Sequence, residues 1–201
     1  MPRESTGDDS LQALLRAVRA CRLCEKDLPL GPRPTLRARA TARLLIVGQA
    51  PGTRVHETGI PWNDPSGDRL RAWLDVPREV FYDESRIAII PMGLCYPGRN
   101  PRGGDLPPRP ECAQTWLPRL LDKLPNIALT LLIGQYAQRH YLGDRAKGSL
   151  TDTVAAWREY LPHYLPLPHP SFRNLQWLTS NPWFGDETIP ELRARVRSLL
   201  S

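Results

Sequence analysis

The sequence predicts an α/β fold built on a parallel sheet with helices on both faces. Three observations predict it. Short apolar runs rich in branched residues recur along the chain, at Arg43–Val47, Arg86–Ile90 and Ala128–Ile133. Each has the length of a strand buried on both sides. Stretches of helical periodicity lie between them, and glycines such as Gly48 and Gly134 stand at the run ends. Alternation of this kind forms parallel sheets with right-handed crossovers.

Taken in order, residues 1–9 are polar and are expected to fray. Ser10 is placed to cap a helix running to Arg19, with Leu11, Leu14, Leu15 and Val18 on one face. A loop from Cys21 to Ala40 leads to the first strand. Ser66 is placed to cap a helix through Leu74 that carries Leu70 and Trp73. The second strand opens into a Pro/Gly-rich connection, 96–110, followed by a helix from Glu111 to Leu124. Gly134 ends the third strand, and a helix from Gln135 to Leu142 follows. Residues 151–160 read as helical, His163–Leu167 as a fourth strand, and Ile189–Leu200 as the last helix. The 22 prolines fall largely in connections, notably 28–34 and 97–110. That placement predicts long, stiff, functional loops over a compact sheet. Open α/β sheets hold ligands at the carboxyl ends of their strands. Function is therefore expected in the loops after strands one, two and four.

The 201 residues suit one domain spanning the chain, with no repeat, low-complexity tract or linker. Charged residues make up 24% and hydrophobic ones 41%, an ordinary soluble composition. No apolar run approaches the ~20 residues of a membrane helix. The start lacks an apolar signal core, so a cytoplasmic location, no membrane partner and a monomer are expected. Lysine plus arginine is 27 against 21 acids, a net +6 carried mostly by arginine. A basic surface suits a polyanion such as nucleic acid.

The first strand runs into Gly48-Gln49-Ala50-Pro51-Gly52. Backbone N–H groups in such a turn can hold a carbonyl or an anion; the plainer reading is an ordinary strand-to-loop turn. Cys21 and Cys24 form a C-x-x-C, with Cys95 after the second strand and Cys112 at the next helix. Four thiolates in two loop-borne pairs suit zinc or an iron–sulfur cluster, and spacing alone does not choose. The alternative is four free thiols with no metal. His169 lies between two prolines, followed by Ser171-Phe172-Arg173-Asn174. That loop is equipped to dock on phosphate or wedge into a stack, or is a proline-rich connection with a solvated histidine. His56 and Glu57 are candidates to activate water, against plain surface polarity. Trp62 is a candidate to stack on a flat ring or a packing anchor, with Asn63 beside it.

The C-x-x-C, Gly48–Gly52, Gly59-Ile60-Pro61-Trp62, the Cys95 and Cys112 pair, and His169-Pro170-Ser171 together resemble the uracil-DNA glycosylase superfamily, and its iron–sulfur branch in particular. The resemblance implies a three-layer α/β/α sandwich around a four-stranded parallel sheet. It implies a pocket for a base flipped out of DNA. Gly48, Gln49, Ala50, Pro51 and Gly52 would contact the pyrimidine carbonyls, and Trp62 would stack on uracil. His169 would stabilise the departing anion, and Ser171 to Asn174 would enter the minor groove. Cys21, Cys24, Cys95 and Cys112 would hold a structural [4Fe–4S] cluster.

Three departures from the family pattern stand out. Val55-His56 occupies the usual acidic positions, which leaves His56 and Glu57 as candidates only. Pro91 stands near a usual asparagine that reads the uracil edge, and Asn63 or a backbone group would have to replace it. Ala50 stands where another branch has a catalytic aspartate. The leading expectation is a monofunctional glycosylase releasing uracil or another deaminated base from DNA. The alternatives are a non-catalytic binder of damaged or single-stranded DNA, and a metal-stabilised protein acting on a small nucleoside.

Overall fold

The structure, a computed structural model, describes residues 7–201. Its helices and strands follow in chain order. Helix α1 (Gly7–Arg19) precedes strand β1 (Leu44–Val47); α2 (Thr53–Thr58), α3 (Pro65–Leu74) and α4 (Arg78–Phe81) precede β2 (Ile87–Ile89). Helix α5 (Pro110–Leu121) precedes β3 (Leu129–Ile133); α6 (Gln135–Leu142) and α7 (Leu150–Ala155) precede β4 (Tyr164–Leu167); α8 (Leu175–Ser180) and α9 (Ile189–Leu200) complete the chain.

The four strands form one parallel sheet in the order β2-β1-β3-β4. Their side chains alternate between two cores, as the pleat demands. Leu45, Val47, Ala88 and Leu132 pack with residues of α1, α5 and α6 on one face. Leu44, Ile46, Ile87, Leu131 and Leu165 pack with α3, α7 and α9 on the other. This is the expected three-layer α/β/α sandwich. The chain leaves β1 toward β2 and later returns to the other side of β1 at β3. The loops after β1 and β3 therefore diverge, and the crevice between them is where such sheets bind ligands.

Several boundaries differ from the sequence reading, each for a local reason. Residues 1–6 of the expected frayed segment lie outside the described residues, whereas 7–9 open α1. Ser10 is thus inside that helix, carried past its capping signal by the buried face at Leu11, Leu15 and Val18. Asp64, and not Ser66, caps α3: its carboxylate accepts the Gly67 N–H at 2.8 Å, with Pro65 in the first turn. The helical span 151–160 breaks into α7, capped by Ser149, and a 3-10 turn at Trp157–Tyr160. The loop 21–40 is partly ordered as sheet edge. Arg37 exchanges both backbone hydrogen bonds with Ile89, at 2.9 and 2.7 Å, on the outer side of β2. No helix of the described residues is long and apolar enough to cross a membrane.

Candidate functional site

Strand β1 runs straight into Gly48. The N–H groups of Ile90, Met92 and Gly93 donate to the carbonyls of Ile46, Gly48 and Gln49 at 3.0, 2.9 and 2.9 Å. The parallel ladder thus outlasts the strand and fixes the turn. Position 48 needs glycine, because a Cβ there would stand 2.9 Å from the Trp62 indole. Trp62 itself takes a φ of 57°, a strained conformation for a bulky side chain. Its surroundings impose it. The buried Arg71 donates to the Trp62 carbonyl at 3.3 Å and pairs with Asp68. Gly67 of α3 lies so close behind that any side chain there would strike the same carbonyl.

His169 meets Trp62 from the far side of the sheet, ring centres 5.5 Å apart and tilted by 34°. Its loop is held twice. The Asn174 amide donates to the His169 carbonyl at 2.7 Å, and Arg69 of α3 donates to the Pro170 carbonyl at 3.1 Å. Packing around the ring lowers the His169 pKa, against an opposing pull from Asp64. The imidazole is thereby biased to its neutral form, which still carries one N–H donor.

The turn, Trp62 and His169 line one cleft of about 560 Å³ at the carboxyl end of the sheet, with Ser171, Phe172 and Arg173 on its rim. Phe172 is 71% exposed and Leu175 50% exposed. Asn174 does not line the cleft but braces His169. Pro91 lines it near the floor with Thr35 and Ile89. His56, Glu57 and Asn63 do not line it. On α2 it is Thr53 and Val55 that line the cleft, while the His56 ring lies 6.2 Å from Tyr96 with its Nδ1 buried and unpartnered. Glu57 is exposed, and the Asn63 carbonyl oxygen accepts from Arg78 at 2.9 Å.

The sequence reading missed four charged residues of the cleft: Asp64, Arg69, Arg99 and Asp105. Asp64 was legible as an Asp-Pro helix start. Arg99 and Asp105 lie within the long Pro/Gly-rich connection, which folds into a hairpin. Leu106 N–H donates to Gly98 at 2.8 Å and Asn100 N–H to Gly104 at 2.9 Å, with Arg99 and Asp105 bridged. The Gln49 side chain ties this hairpin to the turn by donating to the Leu106 carbonyl at 2.9 Å. Burial raises the Asp105 pKa, although Arg173 and Arg99 act to lower it; Asp64 adds to the rise.

On the other side of Gly93 the four cysteines line a second, small cavity of about 20 Å³, walled by Pro32, Pro34 and Trp116. Leu94 N–H donates to the Cys112 sulfur at 3.3 Å and the Trp116 indole to the Cys21 sulfur at 3.4 Å. Burial pushes the Cys95 thiol up to about 11 and Cys112 up to about 12, with the neighbouring sulfurs adding to both. Burial, then Glu111, also raises Cys24, while Arg109 beside it pulls the other way. Among the described residues, no three His, Cys, Asp or Glu side chains are gathered as a site for a single ion. Compared with known protein families, residues 37–193 match the family model described as the uracil DNA glycosylase superfamily.

Proposed function

The chain belongs to the uracil DNA glycosylase superfamily, the match covering well over half its length, and from that premise we propose that it is a monofunctional glycosylase. It would hydrolyse the N-glycosidic bond of uracil or another deaminated base in DNA. Membership supports a glycosylase-type activity on DNA. The observation that carries the finer reading is the cleft itself, where Gly48–Gly52, Trp62 and His169 converge from distant stretches of sequence.

Each part has a task in that reaction. A base must leave the duplex stack to reach the cleft, at a cost of a few kcal/mol. Stacking on Trp62 offsets about 1–3 kcal/mol of it. Breaking the bond places negative charge on the base. The neutral His169 donates to a base oxygen as that charge grows, and the turn's backbone N–H groups add further donors. Arg173 meets phosphate and Phe172 presses toward the bases. No lysine lines the cleft among the described residues to form a Schiff base.

The cysteine cavity fits a [4Fe–4S] cluster by its donor set, since four thiolates are the usual ligands. Cys21, Cys24, Cys95 and Cys112 would hold it, with the Leu94 and Trp116 N–H groups and Arg109 stabilising sulfur charge. When bound, the group supplies structural anchorage for the loops around Cys21 and Cys95.

Pro91 on the cleft wall favours one second reading, a non-catalytic binder of damaged DNA, because its side chain cannot read a base edge. Incubation with oligonucleotides containing uracil, hypoxanthine or xanthine separates the two. Release of a free base supports the enzyme. Tight binding with no release from any of them supports the binder.

A further inference from the structure

We propose that Asp105, delivered by the 98–106 hairpin, is the carboxylate that activates the attacking water, an assignment that rests on the glycosylase reading above. Among the described residues two carboxylates line the cleft, Asp64 and Asp105. Asp64 is already committed, its oxygen accepting the Gly67 N–H at the start of α3. Asp105 stands over the turn that would hold the base: its Oδ2 lies 3.4 Å from where a Cβ on Gly52 would be. The residue as a whole is exposed at the cleft mouth, where water has access, while its carboxyl is partly desolvated by its neighbours.

Its position is fixed from two sides. Gln49 holds the hairpin from the turn, at 2.9 Å to the Leu106 carbonyl. Arg173 reaches in from the His169 loop, so close that a Cβ on Gly104 would be 2.8 Å from its guanidinium. The charged groups facing Asp105 are Arg99 on its own hairpin, Arg173 opposite, and Asp64 of the α3 cap. Burial and Asp64 raise the proton affinity of this carboxylate, the direction a general base needs, while the two arginines act against that rise.

The step balances as follows. The bond from C1′ to the base nitrogen breaks, and its electron pair leaves with the base. The water oxygen bonds to C1′, and its proton passes to Asp105. Asp105 then yields that proton to solvent or to the departed base. The acid thus comes from the loop after β2, whereas His56 and Glu57, in the segment after β1, do not line the cleft.

Single-turnover base release by parent, Asp105→Asn and Asp105→Glu protein tests this, with melting temperature and affinity for abasic DNA measured alongside. The expected result is a loss of about 10²-fold or more in Asp105→Asn, the range for one general base. Melting should be unchanged and DNA affinity equal or tighter. The parent rate should fall on acidification, Asp105→Glu should keep that limb, and Asp105→Asn should lack it. A folded Asp105→Asn protein with the parent rate, or with the acidic limb intact, overturns the assignment but leaves the glycosylase reading standing. A parent that releases no base overturns both.

Discussion

At the scale of single residues, the contact between Gly48 and Trp62 sets the shape of the cleft. A methyl group on Gly48 would press on the indole at 2.9 Å. Gly48→Ala should therefore cost about 1–3 kcal/mol by overpacking. The cost should largely vanish in a protein that already carries Trp62→Ala. Chemical denaturation of the two single variants and the double variant completes that cycle, and additive costs would show that the two do not press on each other. His169→Ala should lower single-turnover base release ~10²-fold or more, the loss typical of one charge-stabilising donor, with DNA affinity little changed. His169 also predicts a pH dependence of stability. Its folded pKa lies below its unfolded value because packing desolvates it. Between the two values the unfolded chain binds more protons, so stability is full above the unfolded value near 6.5 and falls as pH drops through that window. Melting scans from neutral to mildly acid pH should show this slope, and His169→Gln should flatten it.

At the scale of elements, the hairpin 98–106 is hydrogen-bonded to the turn after β1 by the Gln49 side chain, with Arg173 packed against its other side. Gln49→Ala removes a hydrogen bond worth about 1 kcal/mol. Amide exchange in 98–106 should quicken while that of β1 and β3 stays unchanged; equal protection throughout would mean the hairpin is held by other contacts. The cysteine cavity joins the loop after α1, the segment after β2 and the start of α5. Anaerobically purified protein should carry about four irons per chain with broad visible absorption. Stoichiometric zinc or colourless protein would remove the cluster. Elements were legible where packing and periodicity agree. The strands stood out because each is buried at nearly every position and reads as a short, mainly apolar run, and α9 because its apolar stripe repeats. The short α2, α4 and α8 were not, since a single turn or two has no period to detect. The hairpin hid because its glycines and prolines announce a loop without saying what the loop holds.

At the scale of the whole molecule, the net charge of +6 and the rim arginine predict salt-sensitive binding. Affinity for a duplex oligonucleotide should fall steeply as salt rises, through counterion release. Arg173→Ala should weaken it by a similar factor for every sequence, because a phosphate contact carries no base information. Equal affinity at low and high salt would argue against a phosphate-tracking surface. Much of the cleft's membership was readable from motifs, since the turn, Trp62 and His169 carry the family's pattern. Asp105 was not, because local spacing does not reveal how its Pro/Gly-rich connection folds, nor that packing of Val55 turns His56 and Glu57 of α2 away from the cleft. Finally, the Arg37 bridge to Ile89 occupies the free side of β2, and Pro166 within β4 denies a ladder donor at the opposite margin. Neither flank of the sheet is left ready to recruit a strand from another molecule. The protein should therefore stay dispersed when concentrated, and Arg37→Pro, by uncovering β2, should turn it toward ordered aggregation long before it turns it toward unfolding.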